Sequence, residues 1–272
     1  MDHPARALRR HDGLSAVASL ARHWPEYLME VAEPGLYMFA TCVIAALLQH
    51  PASPVRHLIL NPLARRELMG IAMGLTIVAI VLSPWGKQSG GHLNPAITLT
   101  FYRLGKVEFW DLWFYILAQF VGAVGGVCIA RYALWGALGD HAVHYAVTVP
   151  GVFGTGIAFA AELTISFLFM ITILVATNRA RLAPYTPYLA GALIAIYIAF
   201  ETPLSGMSTN PARTFGSALH ANYWQALWIY FLAPTLGMLG AGEVFLRSRG
   251  GVPPFCAKLH HVNNKRCIFH HA

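Results

Sequence analysis

One tripeptide occurs twice in this sequence, as Asn94-Pro95-Ala96 and as Asn210-Pro211-Ala212. Proline suits the first turn of a helix because its missing N–H would be unpaired there, and a preceding asparagine is a good helix cap. Each tripeptide therefore predicts the start of a helix. An asparagine amide beside the partial positive charge of a helix start can donate a hydrogen bond to a neutral hydroxyl-bearing solute, and that charge opposes a cation.

Arg213 directly follows the second tripeptide. It is a permanent charge in an otherwise apolar neighbourhood, and its five N–H donors can bind a solute and repel cations. An idle arginine would be costly in such surroundings. We therefore expect Arg213 to act on the same solute as the two asparagines.

The segments around these residues are duplicated as well. Two further pairs match in order and nearly in spacing, namely Val31-Ala32-Glu33 with Ala160-Ala161-Glu162, and 117–122 with 232–237. Chance matches would not keep this order. The sequence therefore predicts an internal duplication, with repeat 1 at about 27–133 and repeat 2 at about 154–247.

The composition is that of a membrane protein. Hydrophobic residues make up 56% of the 272 residues and charged residues 11%, whereas soluble domains carry roughly 25% charged residues. These fractions argue against a soluble domain and against disorder. The few acidic residues and isolated histidines form no catalytic constellation, so we predict no enzyme. A formal charge of +7 in so apolar a chain indicates Arg and Lys at a membrane face rather than a nucleic-acid partner.

Six windows contain the roughly 20 mostly apolar residues that a spanning helix needs. They lie at approximately 28–48, 68–85, 112–130, 155–178, 182–201 and 223–243. The apolar stretches that start at Asn94 and Asn210 are too short to span and predict re-entrant half-helices. Three spans per repeat is an odd number, so the second repeat must be inverted, and inverted repeats place a solute path at their interface. We therefore predict an all-α membrane protein with six transmembrane helices and two re-entrant half-helices.

Lysine and arginine are more frequent on the side of the two termini than on the opposite side. We therefore expect a plasma (inner) membrane protein with both termini in the cytoplasm, including the basic segment 1–26 and the tail 248–272. The tail contains Cys256, His260, His261, Cys267, His270 and His271. Such ligands can bind zinc or copper, but their spacing matches no closed finger and nearby basic residues oppose a cation. We expect a disordered tail, no metal site and no cofactor.

The paired motifs within an inverted repeat resemble the aquaporin (major intrinsic protein) family over roughly residues 27–247. The resemblance implies a homotetramer with a pore in every subunit. It also implies passive passage of water, with or without small uncharged solutes, and exclusion of ions and protons. One alternative is a glycerol, urea or metalloid facilitator with little selectivity for water. Others are a secondary transporter, which needs a coupling-ion site, and a non-conducting structural membrane protein.

The same resemblance assigns roles to residues near the two tripeptides. Backbone carbonyls of six residues should line the pore, namely Gly90, Gly91, His92, Gly206, Met207 and Ser208. Glu33 and Glu162 should be buried and hold the re-entrant loops, with support from Gln119. Gly74 and Gly191 match the small residues at which the second and fifth spans cross closely.

The resemblance also implies a selectivity filter on the outer side, formed by Met73, Ile198, Met207 and Arg213. Water-selective members usually carry an aromatic residue and a histidine where this chain has Met73 and Ile198. An apolar filter of this kind favours solutes larger than water. Other positions favour water alone, namely Thr214, Ala218 and Tyr230-Phe231. The sequence leaves this choice open.

Overall fold

Residues 14–269 are described by a computed structural model, and this part of the chain contains helices and loops but no β-strand. Its α-helices are α1 (Ala16–Gln49), α2 (Pro54–Leu58), α3 (Pro62–Leu82), α4 (Pro84–Ser89), α5 (Pro95–Arg103), α6 (Phe109–Ala133), α7 (Gly154–Thr177), α8 (Thr186–Phe200), α9 (Thr202–Ser205), α10 (Pro211–Ala221) and α11 (Leu227–Ser248). Short 3₁₀ turns lie at Ala137–Gly139, His144–Ala146 and Ala183–Tyr185.

Six of these helices are long. By length and composition α1, α6, α7, α8 with its preceding turn, and α11 are suited to cross a membrane. The sixth, α3, has 21 residues but carries Arg65, Arg66 and Glu67 near its start. α1 begins at Ala16 and continues through Pro25 and Pro34, so it is longer than the predicted span at 28–48. The six long helices and two half-helices form the predicted all-α membrane fold.

The half-helices are α5 and α10, and each begins at the proline of one tripeptide. Their nine and eleven residues correspond to lengths of about 14 and 17 Å, about half of a hydrocarbon layer of roughly 30 Å. The side chains of Asn94 and Asn210 cap them. Asn94 Oδ1 accepts from Ala96 N at 2.9 Å, and Asn210 Oδ1 accepts from Ala212 N at 3.0 Å.

The helices pack with the symmetry of an inverted repeat. In repeat 1 α1 packs against α6, in repeat 2 α7 packs against α11, and α3 packs against α8 across the repeat interface. Each half-helix packs against the last long helix of the other repeat, α5 against α11 and α10 against α6. The half-helices are therefore held by both halves of the chain.

Two glycines set the distance between α3 and α8. A Cβ atom at Gly74 would clash with the carbonyl oxygen of Gly191, and one at Gly191 would clash with that of Gly74. Backbones approach this closely only where no side chain intervenes. The structure thus has the close crossing predicted for these two glycines.

Gly122 sets the corresponding distance between α1 and α6, because a Cβ there would clash with the carbonyl oxygen of Val31. Gly125, on the same helix, has open space around such an atom. We expect Gly122→Val to destabilise the protein by about 1–3 kcal/mol through overpacking, and Gly125→Val to have little effect. Thermal unfolding of the two variants in detergent measures the difference. Equal unfolding temperatures would contradict this account of the α1–α6 contact.

The described part of the tail, 248–269, is ordered, which corrects the expectation of disorder there. Cys256, Ala257, Lys258 and Leu259 are each at most 2% exposed. Their contacts lie far away in the sequence, as between His92 and Ala257, and composition alone does not show such contacts. Within 14–269 no three His, Cys, Asp or Glu residues are grouped to hold a metal. His270, His271 and the basic residues Arg6, Arg9 and Arg10 lie outside the described residues.

Candidate functional site

Two neighbouring cavities lie between the repeats. We call the side on which α1 begins and α11 ends the terminal side, and the opposite side the loop side. The central cavity has a volume of about 40 Å³ and is lined by both Asn94 and Asn210. The loop-side cavity has a volume of about 270 Å³. Tyr37 lines both, so the two cavities adjoin. A water molecule needs about 10–15 Å³, so the central cavity has room for a short file of water molecules.

Asn94 and Asn210 link the two repeats at the central cavity. Asn94 Nδ2 donates to the Thr209 carbonyl at 2.7 Å, and Asn210 Nδ2 donates to the Leu93 carbonyl at 2.9 Å. A side-chain amide nitrogen carries two hydrogens. One hydrogen of each amide holds the opposite loop, and the other remains to bind a solute.

The chain before each asparagine, which we call the first loop (89–93) and the second loop (205–209), has an unusual backbone conformation. Six residues have positive φ, namely Gly90 (104°), Gly91 (67°), Leu93 (55°), Gly206 (80°), Met207 (51°) and Thr209 (55°). Met207 stands where repeat 1 has Gly91. The left-handed conformation costs a non-glycine residue roughly 1–2 kcal/mol, and such strain is often retained at functional sites. In this protein the strained residue Met207 lines the loop-side cavity.

The six residues expected to supply carbonyls are distributed along the path. Gly91, His92 and Ser208 line the central cavity, and Gly206 and Met207 line the loop-side cavity. Gly90 lies at the terminal side, where its carbonyl accepts a hydrogen bond from Leu259 N at 3.0 Å. The re-entrant loops therefore extend from both sides toward the centre.

The second loop is held by Glu162 and Tyr230. Glu162 is fully buried and accepts from Ser205 Oγ at 2.7 Å, Ser208 N at 2.6 Å and Thr209 N at 2.8 Å. The Tyr230 hydroxyl donates to the Ser205 carbonyl at 2.5 Å. Tyr230 thus supports the loop, in addition to belonging to the aromatic pair noted in the sequence.

The first loop is held mainly by Glu30, a role that the sequence analysis missed. Glu30 accepts from His92 N at 2.9 Å, Leu93 N at 3.1 Å and Gln119 Nε2 at 2.8 Å. Glu33, the expected residue, accepts from Ser89 Oγ at 2.6 Å. Glu30 precedes Glu33 by about one helical turn and therefore lies on a similar face of α1. This spacing is the sequence signal that could have identified Glu30 as a second candidate for holding the loop.

The loop-side cavity brings together the four residues of the expected filter. Met73 comes from α3, Ile198 from α8, Met207 from the second loop and Arg213 from α10, and all four line the cavity. Arg213 Nη1 is buried and has no hydrogen-bond partner among residues 14–269. A buried guanidinium nitrogen without a partner is costly. This donor is therefore suited to bind a permeating molecule.

Tyr37 and Thr41 add an α1 wall to this cavity that the sequence analysis did not include. Tyr37 lines this cavity together with Arg213. Thr41 Oγ1 donates a weak hydrogen bond to Met73 Sδ at 3.7 Å, which gives that side chain a polar neighbour. The filter region is therefore less apolar than the four predicted residues indicate.

Thr214 does not face either cavity. Its hydroxyl lies 2.5 Å from Ser208 Oγ and 2.8 Å from Thr148 Oγ1, and it is 1% exposed. The threonine therefore fastens the second loop to the segment before α7. Its identity is a weak guide to which solute passes.

Six long helices, two capped half-helices and two adjoining cavities are the features of one known protein family. The family model of the major intrinsic proteins matches residues 17–245. The chain belongs to the major intrinsic protein family. As a major intrinsic protein, it is an integral membrane protein and a passive channel for water and small solutes.

Relatives and a solved structure are similar over most of this family member. Aquaporin NIP2-3 from Zea mays is 31% identical over 245 residues, which cover 88% of this chain and 76% of the relative. Aquaporin NIP3-1 from Zea mays is 37% identical over 188 residues, covering 66% of this chain and 60% of that relative. The X-ray structure of the aquaglyceroporin from Plasmodium falciparum has a TM-score of 0.67 at 16% identity, covering 82% and 95% of the two chains, and shows the shared fold.

Proposed function

We propose that this channel conducts water and at least one small uncharged solute, such as a polyol, urea or a hydroxylated metalloid. Met73, Ile198, Met207 and Arg213 would form its selectivity filter. The observation that carries the proposal is their position around one cavity of about 270 Å³, adjoining the cavity between Asn94 and Asn210. Both reported relatives are named aquaporins, which supports the passage of water.

The chemistry of the filter favours a solute with both polar and apolar surface. Arg213 Nη1 offers a donor to a hydroxyl or carbonyl oxygen. Met73 and Ile198 offer apolar contact, and methionine adapts its shape. A histidine, which would give water a second polar partner, is absent from these four positions. Tyr37, a polar aromatic residue, lines the cavity on the α1 side.

Ions and protons would be excluded at two places. The N-termini of α5 and α10 begin at the two asparagines, so their partial positive charges meet at the central cavity. Arg213 adds a full charge at the loop-side cavity. A cation finds no ligands there that replace its hydration shell, and the same field opposes a proton.

A facilitator with little selectivity for water is the closest alternative, and the apolar filter side chains support it. A secondary transporter is less well supported because Glu30, Glu33 and Glu162 hold the loops. We propose that the protein is not an enzyme, that it needs no cofactor and that it does not bind nucleic acid. We further propose a homotetramer in the plasma membrane with its terminal side in the cytoplasm, as the family resemblance and the basic residues indicate.

Replacing Met73 with Phe and Ile198 with His tests the filter. This double variant should lose more solute flux than water flux, because the added rings narrow the cavity and the imidazole supplies a second polar partner for water. Stopped-flow light scattering of proteoliposomes should compare water, glycerol, urea and boric acid. Met69→Phe is the control, because Met69 lines the same cavity about one turn farther out on α3.

Two results would count against the proposal. If the wild-type protein conducts water well and excludes all three solutes, the filter is narrower than we propose. If Met69→Phe reduces solute flux as much as the double variant, the constriction lies elsewhere in the cavity.

A further inference from the structure

The C-terminal segment 255–269 packs against the first loop at the terminal side. Leu259 lines the central cavity together with Asn94 and Asn210, and it is 2% exposed. Its backbone N–H donates to the Gly90 carbonyl at 3.0 Å. An apolar side chain from the tail thus occupies the end of the water path.

The tail also takes a polar group of the first loop. His92 Nε2 lies 2.9 Å from the Ala257 carbonyl. A carbonyl only accepts, so this ring nitrogen donates. The Gly90 carbonyl and the His92 ring therefore each have a hydrogen-bond partner in the tail, where a file of water molecules would otherwise supply one.

Phe269 covers the same loop from the far end of the segment. Its ring stacks on His92 with centroids 5.2 Å apart and an interplanar angle of 13°. It also packs edge-on against Tyr115 at 5.9 Å. Gly90 leaves room for it, since a Cβ there would come within 2.8 Å of the Phe269 ring.

The segment is a folded turn. Lys258 Nζ donates to the carbonyls of Lys265 at 3.3 Å and Arg266 at 2.6 Å, and Cys256 Sγ lies 3.7 Å from Cys267 Sγ. Burial lowers the pKa of Lys258 below its ordinary value. The hydrogen bond to Cys267, together with burial, raises the pKa of the Cys256 thiol. These contacts give the segment a defined shape.

Arg266, near the end of the segment, contacts α1. Arg266 Nη2 donates to the Arg22 carbonyl at 2.8 Å, and Arg266 Nη1 lies 3.8 Å from the buried carboxylate of Glu26. The segment is thus attached to the first loop, to α1 and, through α11, to repeat 2.

We propose that residues 255–269 are a plug that closes the terminal end of the pore, and that conduction requires this plug to leave. The first loop is its binding site, and this chain's own tail is the ligand. Such a channel exists in two states, and its permeability follows the fraction of unplugged molecules. The inference goes beyond the filter proposal, because it concerns the opposite end of the pore.

Three variants of this chain test the plug in proteoliposomes by stopped-flow water permeability per reconstituted channel. One lacks residues 252–272. The second is Leu259→Asp, which places a charge where an apolar side chain is buried. The third is the control, Val262→Asp, which adds the same charge to the same tail at a site that is 52% exposed.

We expect the deletion and Leu259→Asp to raise water permeability about tenfold, which corresponds to about 1.4 kcal/mol of plug-binding free energy. Val262→Asp should match the wild type. Misfolding does not produce a gain in permeability, so a gain is specific. The plug is overturned if Leu259→Asp is no more permeable than Val262→Asp. Solute preference should stay the same in the opened variants, which separates this outcome from a failure of the filter.

Discussion

Replacing Arg213 with valine should let protons and cations through while water passage is kept or increased. Arg213 is the charged member of the proposed filter, and its Nη1 is buried without a hydrogen-bond partner among residues 14–269. A unit charge about 5 Å from the path contributes about 3 kcal/mol at an effective dielectric constant of about 20, or roughly a hundredfold in ion entry. Proton flux into proteoliposomes that contain a pH-sensitive dye measures the effect directly.

Arg66→Val is the matched control for that variant. Arg66 lines the same cavity but lies seven residues before Met73 on α3, about 10 Å nearer the loop-side surface. Its charge lies farther from the other proposed filter residues, so its removal should change proton flux much less. Equal proton leaks in the two variants would show that Arg213 is not at the constriction.

Replacing Glu162 with leucine should abolish conduction and strongly destabilise the protein. The substitution leaves three donors of the second loop without an acceptor, namely Ser205 Oγ, Ser208 N and Thr209 N. A buried donor left unpaired costs about 1–3 kcal/mol. The loop should then no longer hold Met207 and Asn210 in place. Water permeability and the thermal unfolding temperature in detergent should both fall.

Glu243→Leu provides the comparison for Glu162→Leu. Glu243 pairs with Arg103 at 2.7 Å, but both side chains are substantially exposed. Exposed ion pairs contribute at most about 1 kcal/mol, so this variant should conduct and unfold much as the wild type does. A Glu162→Leu protein with normal permeability would mean that the loop keeps its shape without the carboxylate.

Much of the architecture is predictable because it depends on local sequence patterns. Apolar windows of the right length predicted the long helices, and the two tripeptides predicted where α5 and α10 begin. An odd number of spans per repeat predicted the inversion. These inferences depend only on helix periodicity, capping and the needs of a bilayer, which are properties of contiguous residues.

The parts that were missed depend on which helix faces meet. Glu30 and Glu33 both lie on α1, and only the position of the first loop determines that Glu30 receives the backbone N–H groups of His92 and Leu93. Tyr37 carries no motif, and its place beside Arg213 follows from the packing of α1. The sequence match between Val31-Ala32-Glu33 and Ala160-Ala161-Glu162 had indicated Glu33, which lies about one turn after Glu30 on α1.

The tail was mispredicted for a related reason. A short stretch of Cys, His and basic residues has the composition of a solvated segment. Its order comes from partners in the first loop, such as Gly90 and His92, which are more than 160 positions away. Composition describes a segment by itself and does not indicate a docking site elsewhere in the chain.

The reciprocal bonds of Asn94 and Asn210 have a consequence for biosynthesis. Each asparagine completes the other repeat's loop, with partners 115 and 117 positions apart. At about 5–20 residues per second, Asn94 leaves the ribosome roughly 6 to 23 s before Thr209. During that interval the amino-terminal half lacks its central partner. The two bonds that join the repeats can therefore form only after the second loop has been synthesised, and a chain arrested between the repeats would lack both of them.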